Sequence, residues 1–105
     1  MEHISAICAE FAYFYRVKII KDNLFIVPPL FRYIQNESGT PWYEMYKVFN
    51  MGHRMEIYTT KEAAASIVAI SEKFGVEAKI IGRVEGSSKR EVVLITEFGE
   101  FNYEM

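Results

Sequence analysis

The sequence lacks most of the features that would assign it to a common class at sight. It contains one cysteine, Cys8. No intrachain disulfide can form, no metal site can rest on thiolates, and a reducing, cytoplasmic setting is expected. It also lacks an excess of positive charge, with 12 Lys and Arg against 14 Asp and Glu and a formal net charge of -2. That balance leaves no electrostatic footprint for nucleic acid or for anionic membrane, and neither is expected as a partner. No apolar run approaches the roughly 20 residues of a membrane span. No Lys or Arg precedes Arg16, so the N-terminus has no basic flank of the kind that opens a secretory signal. Both common phosphate-cradling loops, G-x-G-x-x-G and G-x-x-x-x-G-K-[ST], are absent. Internal repeats, low-complexity tracts and linkers are absent too, so residues 1–105 read as a single domain.

What is present is an ordinary globular balance, 50% hydrophobic and 25% charged, with an unusual share of rings. Eight Phe, seven Tyr and one Trp exceed what a domain of this size can bury completely. Part of them is expected in the core and part on a contact surface.

The order of elements follows from periodicity. Ile4, Ile7, Cys8 and Phe11 recur at helical spacing and predict a short amphipathic helix. "YRVKIIK" then alternates, with Val17 and Ile19 on one face and Arg16 and Lys18 on the other, as in a strand. Pro28 and Pro29 suit a helix start; Leu30, Phe31 and Ile34 follow at helical spacing, and Gly39 ends the run. A second short helix is predicted with Thr40 as N-cap and Pro41 at its first position. Its apolar stripe is Trp42, Met45, Tyr46 and Phe49, and Gly52 stops it.

"HRMEIYTT" reads as a strand. Thr59 and Glu62 form a capping-box pattern before a helix whose expected buried stripe is Ala63, Ile67, Ile70 and Phe74, closed by Gly75. "EAKIIGRVEG" predicts a strand buried on both faces, with "REVVLITE" returning as its hairpin partner across "SSK". Gly99 precedes a last strand, "EFNYE". Strand and helix alternate and then give way to strands, which predicts an α+β fold: a mixed β-sheet packed by helices, distantly ferredoxin-like.

Chemistry is harder to find. His3 and His53 have no second ligand at metal spacing, so a satisfied or exposed side chain is the ordinary reading of each. Cys8 belongs to an apolar face, where a packed thiol is expected. Ser38, Ser87 and Ser88 sit in loops with no histidine nearby, and Glu97, Glu100 and Glu104 read as solvated residues of a terminal hairpin. No catalytic set follows from residue types and spacing.

One stretch goes further. "PPLFRYIQ" (Pro28 to Gln35), "EMYKVFNMG" (Glu44 to Gly52), the helix "TKEAAASIVAISEKFG" and "EAKIIGRVE" occur in this order. Together they resemble the C-terminal domain of aminoimidazole ribonucleotide synthetase, also called phosphoribosylformylglycinamidine cyclo-ligase. Weaker similarity reaches back to "YRVKIIK" and on to Thr96. E-M-Y-x-x-F-N-x-G is the most specific part of the match.

The resemblance implies an ATP-dependent ring closure in purine biosynthesis. The formyl-amide oxygen of formylglycinamidine ribonucleotide is activated by phosphorylation, and a nitrogen then closes the imidazole. ATP and Mg²⁺ are expected only with the family's N-terminal domain, none being held by this chain. The implied partner is therefore an ATP-binding N-terminal domain on a separate chain. The family's glycine-rich loop has no counterpart in Met1 to Phe14, which contains no glycine. Site residues implied by the resemblance are Asn50, Gly52 and Glu44, near an interdomain cleft. Asn50 either hydrogen-bonds substrate or braces a turn. Gly52 either admits close backbone approach or permits a positive φ. Glu44 either pairs with Arg54 or Lys47 or faces the cleft. A stand-alone small-molecule binding module and a non-catalytic remnant that self-associates as a homo-oligomer are the alternatives.

Overall fold

The computed structural model describes residues 3–9 and 17–104. Its strands are β1 (His3–Cys8), β2 (Val17–Lys21), β3 (His53–Thr59), β4 (Glu77–Gly86), β5 (Glu91–Thr96) and β6 (Gly99–Glu104). Its helices are α1 (Pro29–Ser38), α2 (Trp42–Val48) and α3 (Lys61–Lys73). All the strands join one six-stranded mixed sheet in the order β3-β1-β4-β2-β5-β6. β1 runs parallel to both its neighbours, β2 is antiparallel to β4 and parallel to β5, and β6 closes an antiparallel hairpin with β5. The expected α+β class is what the chain adopts.

The first element is a strand where the spacing predicts a helix. Ile4, Ile7 and Cys8 lie in β1, and Phe11 falls outside the described residues. β1 is an interior strand, and its consecutive residues Ser5, Ala6 and Ile7 are all fully buried. A strand covered on both faces shows no alternation, so its apolar residues can fall at helical spacing by coincidence.

The expected β4–β5 hairpin is also absent. β2 lies between the two strands, and Ser87 to Arg90 carry the chain past its end. The gap is two strand spacings, about 9.6 Å, which a connection of this length spans without strain. Burial of β4 on both faces follows from its interior place, with Ala78, Ile81, Gly82 and Val84 all buried.

Gly82 is required by the pairing of β2 with β4, where it stands opposite Lys21. A Cβ at this position would meet the carbonyl oxygen of Ile20 at 1.9 Å. Just beyond, the amides of Asp22 and Asn23 both donate to the carbonyl of Ile81, each at 3.0 Å, turning the chain off the sheet.

The helices start and stop close to where expected. α1 begins after Pro28 and ends at Gly39, whose φ of 68° closes the helix with its amide on the Gln35 carbonyl at 2.8 Å. α2 starts one residue later than predicted, with Pro41 as N-cap, and ends at Val48, so Gly52 belongs to a later turn. The α3 cap is Thr60, whose hydroxyl accepts from the Ala63 amide at 3.3 Å. Thr59 is still in β3, paired with Cys8.

The buried face of α3 is turned by about one residue from the expected stripe. Ala64 and Ser71 are buried and Ile67 and Val68 half-buried, whereas Ile70 is exposed and Phe74 is 80% exposed. α3 packs on β1, β4 and β3, where Ala6 and Ala78 provide a floor of small side chains. Small residues on both sides let helix and sheet approach closely, and that selects Ala64 over bulkier neighbours.

The face carrying Ile7 and Ile81 is covered differently. There Phe25 packs with Ile7, Ile81 and Val84, supported by Val17, Ile19 and Leu24. A second cluster of Val27, Met45 and Met51 holds α1 and α2 together, with Phe31, Ile34, Trp42, Tyr46, Phe49 and Phe98 around it. Trp42 stacks on Phe98 at 3.8 Å and 4°, fastening α2 to the β5–β6 turn. Arg32 sits over the same Phe98 ring and pairs with Glu97. Among the described rings, Phe25, Phe31, Trp42, Tyr46, Phe49 and Phe98 pack in these two clusters, and Tyr33, Tyr43, Tyr58 and Phe74 are exposed.

Candidate functional site

Asn50, Met51, Gly52 and His53 form a tight turn between α2 and β3. The His53 amide donates to the Asn50 carbonyl at 3.1 Å. Both central residues have positive φ, 55° at Met51 and 91° at Gly52, as in a primed turn. Met51 accepts this unfavourable conformation while fully buried in the α1–α2 core, so packing holds the turn in place. The Asn50 side chain braces it: Oδ1 accepts from the Gly52 amide at 3.0 Å. The positive-φ reading of Gly52 and the bracing reading of Asn50 are therefore what the structure shows.

Bracing uses only half of the Asn50 side chain. Since Oδ1 is fixed by a backbone donor, the other branch is Nδ2, and among the described residues it has no partner. Asn50 also lines a cavity of ≈ 240 Å³ together with Lys21, Leu24, Tyr46, Phe49, Met51, His53, Glu56 and Leu94. Gly52 and Glu44 are not in its wall. Glu44 occupies the first turn of α2; among the described residues no ion pair links it to Lys47, and the Arg54 side chain lies outside the described residues.

The floor of the cavity is polar. Ser5, Glu56 and Lys21 share the Ile7–Ile81 side of the sheet through the register of β3, β1, β4 and β2. Lys21 Nζ donates to Glu56 Oε1 at 2.7 Å, with the side chains 16% and 30% exposed respectively. The second carboxylate oxygen, Oε2, accepts from the Tyr58 hydroxyl at 3.3 Å. Burial first, and then the Glu56 charge, push the Tyr58 phenol up to about 12. His53 is buried; its Nδ1 lies 2.6 Å from the Ser5 hydroxyl, and its ring meets Phe25 edge-on at 5.2 Å. The satisfied-core reading of this histidine holds. Tyr46, on the cavity wall, has its phenol raised by burial and by the Glu97 charge.

Sequence reasoning missed Lys21, Glu56 and Tyr46 as site residues. Lys21 and Glu56 lie 35 residues apart, with no local pattern linking them, and only the insertion of β2 into the sheet brings them together. Tyr46 belongs to the expected apolar stripe of α2 and packs there, and it also lines the cavity. A larger hollow of ≈ 740 Å³ lies where Cys8, Lys61, Arg83 and Gly86 meet. Glu10 to Arg16, between β1 and β2 in the chain, lie outside the described residues.

A mixed sheet with α3 on one face, and a braced turn beside a polar cavity on the other, makes up a small α+β domain. Residues 8–95 match the family described as AIR synthase related protein, C-terminal domain, and the chain belongs to this family. Among curated relatives, phosphoribosylformylglycinamidine cyclo-ligase of Methanococcus vannielii is 38% identical over 80 residues, covering 70% of this chain and 23% of the relative. The protein of that name from Alkaliphilus metalliredigens is 36% identical over 66 residues, covering 63% and 19%. That of Bacillus licheniformis is 37% identical over 62 residues, covering 59% and 18%. The chain thus spans less than a quarter of the length of these relatives. No helix among the described residues is long and apolar enough to cross a membrane.

Proposed function

We propose that this chain supplies the C-terminal half of an ATP-dependent cyclo-ligase. The reaction converts formylglycinamidine ribonucleotide to aminoimidazole ribonucleotide, and the chain acts in the cytoplasm with an ATP-binding N-terminal domain on a separate chain. The observation that carries this reading is the 38% identity to the Methanococcus vannielii cyclo-ligase across most of the chain. In this reading ATP and Mg²⁺ belong to the partner domain. Among the described residues no group of three His, Cys, Asp or Glu side chains is arranged to hold a metal ion, and no step through Mg²⁺ is assigned to this chain.

The contribution of the chain is positioning, which by itself is worth several kcal/mol of barrier in reactions of this kind. Asn50 presents Nδ2 to an oxygen of the substrate while Oδ1 keeps the turn closed. Gly52 keeps the backbone in the conformation that aims it. Glu44, outside the cavity wall, faces the cleft toward the ATP-binding domain.

The test is native mass spectrometry of the chain captured from its own cells, followed by a cyclisation assay on whatever it carries. A stable complex with an ATP-binding chain that forms aminoimidazole ribonucleotide and ADP supports the reading, with the isolated chain inactive. Turnover by the isolated chain overturns the need for a partner. A chain that carries no ATP-binding partner and shows no turnover overturns the function. Asn50→Asp separates the two roles of Asn50, since it keeps the acceptor for Gly52 and removes the Nδ2 donor. The variant complex should fold normally and cyclise at least about tenfold more slowly.

A further inference from the structure

The two edges of the sheet are not alike. Among the described residues β3 pairs only with β1, and β6 only with β5. β6 turns Glu100, Asn102 and Glu104 to the α3 side, opposite Ile95, Val93 and Glu91 of β5. A strand laid along that edge meets carboxylates. β3 instead turns Met55 and Ile57 to the α3 side, opposite Ile4 and Ala6. No proline interrupts β3, and its register with β1 shifts only at its start, between His3 and Ile4. It thus lacks the devices that keep an exposed edge from pairing.

The backbone of β3 shows which residues face outward. The Ala9 amide donates to the Thr59 carbonyl at 2.8 Å, so Thr59 turns its backbone groups to β1. By the alternation of a strand, Ile57 and Met55 do the same. The amides and carbonyls of Glu56 and Tyr58 therefore point away from the described sheet.

α3 extends this edge with an apolar flank. Lys61 lines the larger hollow together with Ile80, Arg83 and Glu85 of β4, so its flank of the helix faces β4. The opposite flank, Ala63, Ile67, Ile70 and Phe74, stands on the β3 side. None of these residues is charged, and Lys61, Glu62, Glu72 and Lys73 lie elsewhere around the helix. Ile70 is 54% exposed, Met55 56% and Phe74 80%. Large apolar side chains left open along one edge mark an interaction surface.

The edge is complementary to itself. Antiparallel pairing about a two-fold axis at Ile57 sets Glu56 opposite Tyr58 of the second copy, joined through their outward backbone groups. Ile57 meets its own counterpart, and Met55 meets Thr59 of the second copy. An axis at Glu56 would oppose two carboxylates, so charge selects the axis at Ile57. A two-fold axis perpendicular to the sheet keeps both α3 helices on one side, with Ile70 and Phe74 of each copy over the joined strands. The Asn50 cavity, on the other side, is left open.

We propose that two copies of this chain associate through β3 and the Ile70–Phe74 flank of α3, as an antiparallel β3–β3 dimer with its axis at Ile57. The inference goes beyond the proposed function and does not depend on it.

The experiment is sedimentation of the full chain over a wide concentration range, with amide hydrogen exchange on the same samples. A reversible dimer is expected, with the Glu56 and Tyr58 amides slowed as it forms. Phe74→Glu and Met55→Lys, both at exposed positions, should each weaken association at least about tenfold while the helical circular dichroism is unchanged. In a Cys8→Ser background, Ile57→Cys should form a disulfide-linked dimer on mild oxidation. The two Ile57 Cα atoms would stand about 4.5 Å apart, within disulfide reach. Asn102→Cys, on the other edge, should not crosslink.

A chain that stays monomeric throughout overturns the proposal. So does a dimer that both charged variants leave intact, because it then uses another surface. Dimerisation without slowed Glu56 and Tyr58 exchange overturns the strand pairing, and that readout decides if Ile57→Cys fails to fold. A monomeric chain that binds an ATP-binding protein, and loses it on Phe74→Glu, assigns the flank to that partner and overturns the dimer.

Discussion

The two faces of the sheet solve the same covering problem with opposite means. On one, α3 lies on β1, β4 and β3 over small residues, Ala6 and Ala78 below and Ala64 and Ser71 above. On the other, α1 and α2 stand on rings and methionines: Met45, Met51, Phe31, Phe49 and the Trp42–Phe98 stack. Small-on-small contact brings a helix close and leaves little space between the layers. Large side chains hold the layer off the sheet, and the space left between them receives Lys21, Glu56 and Asn50. The cavity is thus a consequence of how bulky the covering layer is, and polar groups line it because the sheet beneath carries them.

The strongest way to break this contrast is to attack the sheet that both layers share. Gly82→Ala places a Cβ 1.9 Å from backbone that cannot move aside, and should cost at least about 3 kcal/mol, read as a lost or sharply lowered urea midpoint. Met45→Ala, in the aromatic layer, should follow at about 3 kcal/mol, because a fully buried side chain leaves a hole that its neighbours fill only partly. In the other layer enlargement should do the damage. Ala64→Leu should cost about 2 kcal/mol by wedging α3 off the sheet. Trp42, the single tryptophan, lies in the aromatic layer. Its fluorescence and the helical circular dichroism should therefore unfold together if the layers form one cooperative unit, and separate if they do not.

Smaller effects sharpen the comparison. Thr60→Ala should lower stability by about 1 kcal/mol through loss of the α3 cap, while Thr59→Ala should leave the cap intact. At high pH the cavity face should weaken through Tyr58. Its phenol titrates at about 12 in the folded chain against 10.0 for the free group. The folded chain then holds a proton that the unfolded chain has released, so stability is full below pH 10 and falls between pH 10 and 12. Tyr103, also raised to about 12 chiefly by burial, adds to the same fall. Tyr58→Phe should flatten the slope in urea titrations across that window, and an unchanged slope would show that Tyr103 or other groups control it.

Legibility differed between the layers for related reasons. α1 was readable because its signals are local: prolines at the start, and Gly39 in a left-handed conformation at the end. β1 was not, because a strand buried on both sides loses its period, and its apolar residues then fit a helix as well. The stripe of α3 was misjudged because hydrophobicity ranks Ile70 and Phe74 above Ala64, whereas the sheet surface demanded the smaller residue. Of the site, Asn50 was legible as a residue that either braces a turn or meets substrate, and the brace is the bond the structure holds. Lys21 was not, since its partner arrives from a strand that reaches it only through the sheet order.

By itself the sequence determined the class of fold and the family, both of which rest on patterns of residues close together in the chain. Tertiary structure alone decided that β2 enters between β4 and β5, that His53 is satisfied by Ser5, and that Lys21 meets Glu56 beneath the turn. The reason is physical. Local dihedral preferences and caps act over a few residues, while strand order is chosen by which faces can be buried together, and that depends on the whole chain at once.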